Sequence, residues 1–355
     1  MIEYGKQYID DDDIEAVSQV LKSDFLTTGP IIEEFEKDIC DYTGYKYCSV
    51  VSSGTAALHC AMFALGIKPG DEVIVPAITF IATANAIRYQ GGTPVFADVD
   101  PETLLIDVAS VNNLITDATI AVIAMDYAGQ QCDYKELKSL CDYKGLFLIA
   151  DACHSFGAIK AKDRNQLADL VCYSFHPVKN ITTGEGGAVL SKIGVFDKMI
   201  KSFRNHGRYG LESKHIGYNF RLPTINAALG ISQLKKISLF LEERKLIAQR
   251  YDNELDYCNL KKVNNHVYHL YVIKVRNRDL FIQSLKLEGI NCGVHYIPVY
   301  EHPIYQKYFK ESFFNCPNTE EVKKQIVSLP IFFSLTYQQQ EHIIKSVKEN
   351  NPKEV

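Results

Sequence analysis

Through its first 240 residues the chain alternates between two hydrophobic periods. Short β-branched or apolar runs recur at 46–51, 72–76, 93–97, 119–125, 146–150, 170–175 and 188–191. Between most of them lie helical patterns, for example 55–65, 79–89 and 134–143. Strands alternating with helices imply right-handed crossovers and a buried, mostly parallel sheet. Gly186 and Gly187 stand directly before the last run and predict a tight hairpin, which would make one strand antiparallel. The tetrad Asp10–Asp13 predicts a helix start. Its carboxylates cap free backbone N–H groups and oppose the dipole, and Ile14, Val17, Val20 and Leu21 then form an apolar face. A long helical pattern opens at Pro223 and runs through Leu229, Leu234, Ile237 and Leu241.

After about residue 245 the pattern changes. It predicts a strand over 267–275, a helix over 278–287, a strand around Val294, a helix near 319–326 and a last helix from Thr336, with a polar tail, 349–355, that frays. The expectation is an α/β chain: a large domain, 1–245, around a mostly parallel seven-stranded sheet, and a smaller C-terminal α+β domain, 246–355.

Composition narrows the class. The 355 residues are 46% hydrophobic and 23% charged, which excludes a disordered chain or a fibrous repeat. The net charge of −5 offers no basic excess for nucleic acid or an anionic membrane. No apolar run reaches the roughly 18 residues of a membrane span, and Met1–Asp13 is polar, unlike a secretory leader. The ten cysteines show no Cys-x-x-Cys spacing and mostly fall in apolar stretches. They read as reduced core residues of a cytoplasmic protein. His266 and His269 have no second ligand pair beside them, so no metal site is expected.

Three segments carry chemistry. In Val51-Ser-Ser-Gly54-Thr55-Ala56-Ala-Leu58 a strand ends, small residues turn, and a helix begins. Bare N–H groups there make a phosphate cradle, although any strand-to-helix turn also wants Gly and Ser for capping. In Leu148-Ile-Ala-Asp151-Ala-Cys-His154 an aspartate sits at the carboxyl end of an apolar strand, where open α/β sheets bind ligands; the bland alternative is a helix cap. In Ser174-Phe-His176-Pro-Val-Lys179-Asn-Ile-Thr-Thr-Gly-Glu a lysine follows a strand in a loop rich in Ser, His, Thr and Gly. A lysine used as an amine nucleophile needs such a setting and a surface lysine does not. Phosphate cradle, acid and lysine together are what pyridoxal phosphate requires.

With these residues the chain resembles the DegT family of nucleotide-sugar aminotransferases, of pyridoxal-phosphate fold type I. Further segments carry the likeness: Leu26-Thr-Thr28-Gly-Pro30, Pro76-Ala-Ile-Thr-Phe80-Ile-Ala-Thr83, Arg204-Asn-His-Gly207, Gly217-Tyr-Asn219-Phe-Arg221-Leu222 and Val294-His295-Tyr296-Ile-Pro298. Asp126-Tyr127-Ala-Gly129 and the Ser-Phe-His form of the lysine motif point to the branch that aminates C4 of UDP- or dTDP-linked 4-keto-6-deoxyhexoses. The resemblance implies that Lys179 binds the cofactor covalently and shuttles protons, that Asp151 pairs with the pyridine nitrogen, and that His154 bonds the ring hydroxyl. It implies Phe80 on the ring face, Gly54, Thr55, Ala56 and Ser174 around the phosphate, and Asn219 reaching that phosphate from the other subunit of a homodimer. Thr28, Tyr127, His176, Arg221, His295 and Tyr296 would meet the substrate. The amino donor would be L-glutamate. His154 stands where many relatives carry glutamine, which can make the same hydrogen bond. Lys179 argues against a sister branch that has histidine there and removes a sugar hydroxyl.

Three alternatives stay open: amination at C3 of a 3-keto sugar, a β-eliminating lyase acting on amino acids, and a cofactor-bound sugar sensor without turnover. Arg204, Arg221 and His295 are the donor cluster expected to hold an anionic substrate.

Overall fold

The computed structural model describes residues 1–161, 167–256, 258–263, 265–308 and 315–351. The seven apolar runs are the seven strands of one sheet: β1 Tyr47–Val51, β2 Glu72–Pro76, β3 Thr93–Ala97, β4 Thr119–Met125, β5 Phe147–Asp151, β6 Leu170–Ser174 and β7 Gly187–Ser191. Their order is β1-β7-β6-β5-β4-β2-β3. β2 to β6 pair in parallel, and β7 runs antiparallel to both β1 and β6.

The lack of polar alternation has a packing cause. Successive side chains on a strand face opposite ways, and both faces of this sheet are covered. Ile74, Val122, Leu148, Val171 and Leu190 enter one core cluster, while Val73, Val75, Ile123, Ile149 and Val189 enter another.

The hairpin expected at Gly186–Gly187 is corrected. β7 is antiparallel, but its connection from β6 is the whole loop Phe175–Gly186, which carries Lys179. Gly187 is needed for close approach instead: a Cβ there would lie 2.5 Å from the Ser53 carbonyl oxygen and 2.7 Å from that of Tyr173.

The acidic tetrad starts a helix, Asp11–Leu21, with Asp10 and Asp13 forming a reciprocal capping box. Asp13 is buried there. It accepts from Gln233 Nε2 at 2.7 Å and faces Lys236 Nζ at 2.8 Å; the same amine reaches Asp10 at 2.6 Å. Lys236 also breaks the long helix expected from Pro223 into Thr224–Lys235 and Ile237–Glu254. The second of these spans two cores: Ile237 and Phe240 pack with the sheet, and Ile247 and Tyr251 pack with Phe281, Leu285, Ile343 and Val347.

The C-terminal expectations need three corrections. The strand over 267–275 is only Tyr271–Lys274, because Val267 N and Leu270 N turn away to the carbonyls of Gly129 and Ala128, at 3.0 and 3.1 Å. The helix near 319–326 is Pro317–Val322, and Ile326 begins a buried strand, Ile326–Leu329, antiparallel to Tyr271–Lys274. No strand surrounds Val294; a single bridge joins Gly293 to Ser328. The last helix, Tyr337–Asn350, starts on a Thr336–Gln339 capping box and absorbs 349–350 of the expected tail; 352–355 lie outside the described residues. No helix among the described residues is long and apolar enough to cross a membrane.

Removing one partner of a buried ion pair strands the other charge. Lys236→Met leaves Asp13 without its cation, so urea denaturation should show a loss of about 3 kcal/mol.

Candidate active site

A cleft of about 390 Å³ opens at the carboxyl ends of β4, β5 and β6. It brings together Gly54, Thr55, Phe80, Asp151, His154, Ser174, His176, Lys179, His295 and Tyr296, all named from the sequence. Loop and strand ends meet there because the parallel strands point the same way.

The phosphate side is built by Ser53, which caps the helix Gly54–Ala64 by accepting from Ala56 N at 3.1 Å. The Ala56 N–H is thus engaged by the Ser53 hydroxyl. Gly54 and Thr55 keep first-turn N–H groups that no helical carbonyl can reach. Gly54 has to lack a side chain, since a Cβ would lie 2.7 Å from Ser174 Cβ.

Asp151 ends β5 and is buried. Its Oδ2 accepts from Thr83 Oγ1 at 2.6 Å, and its Oδ1 from Cys153 N at 3.2 Å. Thr83 in turn meets Thr79 Oγ1 at 2.8 Å. The sequence reading missed Thr83. Its signal was the four-residue spacing from Thr79, one helical turn, ahead of a buried carboxylate.

His154 is buried and its Nε2 lies 2.8 Å from Tyr296 Oη. Its ring stands 4.4 Å from that of His269, and both Nδ1 atoms are buried without a partner. His269 was read only as half of a weak metal pair; the turn of 267–270 out of its strand brings it here. Burial, with the Lys179 charge as second cause, holds both imidazoles well below the usual histidine range. His295 is lowered to about 4 for the same two reasons, and its Nδ1 lies 2.9 Å from Ser328 Oγ. Lys179 itself is partly buried, and desolvation holds its amine below the ordinary lysine range, against the pull of Cys153 and Asp151. Among the described residues no three His, Cys, Asp or Glu side chains gather to hold a metal.

Other named residues stand elsewhere. Phe80 is at the mouth, half-exposed, 5.7 Å from the Tyr296 ring. Tyr127 is fully buried behind the cleft and gives its hydroxyl to the His295 carbonyl. Thr28 and Arg221 line a separate cavity of about 510 Å³. Asn219 is exposed, bridged through its backbone to Asn205. Arg204 is not free to hold an anion: it pairs with Glu36 at 2.5 Å and donates to the Val50 carbonyl.

The donor set fits pyridoxal phosphate. It offers a desolvated amine, a buried carboxylate, open N–H groups with a glycine that no Cβ fills, and two buried ring nitrogens lacking a partner. The sheet and this cleft together define a fold type I pyridoxal-phosphate enzyme. Residues 7–348 match the DegT/DnrJ/EryC1/StrS aminotransferase family. The chain belongs to that family and is a pyridoxal-phosphate-dependent sugar aminotransferase.

Similar proteins agree. The spore coat polysaccharide biosynthesis protein SpsC of Bacillus subtilis is 34% identical over 98% of this chain and 96% of its own. The structure of Helicobacter pylori PseC, an aminotransferase involved in the biosynthesis of pseudoaminic acid, superposes with a TM-score of 0.91 at 32% identity, covering 99% of both chains. DesV of S. venezuelae, solved in complex with a ketimine intermediate, gives 0.90 at 29% identity over 97% of this chain and 95% of its own.

Hydrogen bonds to charged groups contribute about 1.5–3 kcal/mol. Thr83→Val should therefore weaken cofactor binding by roughly tenfold to a hundredfold, read by absorbance titration of the apoenzyme with pyridoxal phosphate.

Proposed function

We propose that this aminotransferase takes an amino group from L-glutamate and delivers it to C4 of a UDP- or dTDP-linked 4-keto-6-deoxyhexose. The observation that carries the reading is the one cleft that brings together a desolvated lysine amine, a buried carboxylate and a helix start at which only glycine fits. Bound pyridoxal phosphate supplies the electron sink through which an amine and a carbonyl exchange. Lys179 would hold it and move a proton on and off its own Nζ, and the desolvation that lowers its proton affinity eases the release of that proton. Asp151 would meet the pyridine nitrogen, and Thr83 fixes the angle of its carboxylate. His154 holds the ring hydroxyl, its plane set by Tyr296. Gly54, Thr55 and Ser174 take the phosphate.

The preference for a deoxy sugar rests on an apolar wall. Met125, Phe80 and Tyr296 line the cleft, with Tyr127 filling the space behind. A buried methyl contributes roughly 1 kcal/mol, so a 6-hydroxylated substrate should react several-fold to tenfold worse. We assign the remaining residues, Thr28, Asn219 and Arg221, to the cleft of a second subunit, since they lie outside the cleft of their own chain. The ten free cysteines, mostly buried, suit the reducing cytoplasm.

Incubation with glutamate and each 4-keto sugar should give a product whose amine NMR places on C4. An amine on C3, from a 3-keto substrate used in preference, would move the regiochemistry and leave the transaminase. Borohydride should fix the cofactor on the Lys179 peptide, and Lys179→Ala should bind cofactor without turnover. Mixing Lys179→Ala with Asn219→Ala subunits should restore activity through hybrid dimers with one intact site; no restoration means that the sites are not shared.

A further inference from the structure

Asp126 follows β4 directly and is completely buried. Its Oδ1 accepts from Tyr134 Oη at 2.8 Å and from Cys132 N at 3.0 Å; its Oδ2 accepts from Ser155 Oγ at 2.5 Å. Its backbone N donates to the Asp151 carbonyl at 3.1 Å, and its carbonyl accepts from Gly129 N at 3.1 Å. One side chain thus ties the turn that carries Asp151 and His154 to the loop that carries Tyr127, whose hydroxyl holds the His295 carbonyl. Among the described residues no ion pair joins it to a cation; its partners are these donors.

We propose that Asp126 is a positioning residue: its ionised carboxylate draws three donors to one point and braces both segments, and its protonation releases the brace and sets the acid limit of transamination. The proposal rests on the reading of Asp151, His154 and Lys179 as the cofactor residues.

Among the described residues, the titratable groups that bear on Asp126 come from five segments. Asp151 comes from β5, Tyr134 from the helix Tyr134–Lys144, Cys132 from the loop, Tyr45 from before β1 and Tyr173 from β6. Burial pushes the thiol and all three phenols up, so they stay neutral. The two carboxylates are the charges that matter. Burial, with the Asp151 charge adding, pushes Asp126 up to about 6 from 3.8.

The sign of the linkage separates this role from plain packing. A carboxyl whose affinity for protons rises on folding loses stability as pH climbs from about 4 to about 6, and the loss persists above. The ionised form is therefore a stability cost at neutral pH, the sort of arrangement expected where function needs a charge. Stability and activity should respond to Asp126 in opposite directions, whereas a packing role moves them together.

The experiment follows kcat from pH 5 to pH 9 with glutamate as donor, in the wild-type, D126N and S155A holoenzymes, with thermal midpoints at pH 8. The wild type should lose activity below about pH 6. D126N should lack that limb, run about tenfold slower at all pH values, and melt no lower than wild type. S155A should keep the limb but move it to higher pH, because the lost hydroxyl favoured the charged form. An unchanged limb in D126N, an unmoved limb in S155A, or a D126N melting point several degrees lower would each overturn the proposal. Borohydride labelling separates the two levels: a wild type unlabelled at Lys179 overturns the site reading itself, whereas a labelled D126N with an unchanged limb overturns the role of Asp126 alone.

Discussion

A carboxylate taken out of water at the end of a parallel strand has to be met by hydrogen-bond donors or by a cation. Asp151 is that carboxylate, and much of the cleft is arranged around it. Thr83 and the Cys153 N–H supply two hydrogen bonds. Thr79 orients Thr83, and Asp126 takes the Asp151 backbone into its own network. In the proposed reading a protonated pyridine nitrogen would supply the positive partner.

The same burial shapes the rest of the site. Desolvation keeps His154, His269 and His295 neutral and lowers the proton affinity of Lys179. A site with several imidazoles therefore has little titration of its own near neutrality, and proton traffic is concentrated at one amine. The imidazoles act as oriented hydrogen-bonding groups, held by Tyr296 and Ser328. Asp126 is the exception, a second buried carboxylate, held by three hydrogen-bond donors. The loop Phe175–Gly186 joins chemistry to fold: it connects the adjacent antiparallel strands β6 and β7 at the end where the cleft opens, and it brings Lys179 into the cleft lining.

Much of this was legible in order along the chain. The strands β1 to β7 fall on the apolar runs because a sheet covered on both faces needs continuous apolar residues. The helix starts at Asp10 and Thr336 were legible because capping, as the acidic tetrad shows, is a local hydrogen bond. Lys179, Asp151 and Gly54 could be picked out because each ends or follows a strand whose end the pattern marks. The C-terminal strand pairing was not legible. Ile326–Leu329 has an apolar run too short to tell from a helix turn, and pairing with Tyr271–Lys274 decided it.

The sequence by itself determined the order of elements, the mostly parallel sheet, the family and three residues, Gly54, Asp151 and Lys179, that the structure brings into one cleft. Each of these depends on local periodicity, or on residue types at fixed distances along the chain. Only the tertiary structure decided that Thr83 serves Asp151, that His269 stands against His154, that Arg204 is spent on Glu36, and that Thr28 and Arg221 lie in another cavity. Those relations join residues tens to hundreds of positions apart. Chain spacing carries no information about them until burial forces each polar group to find its partner.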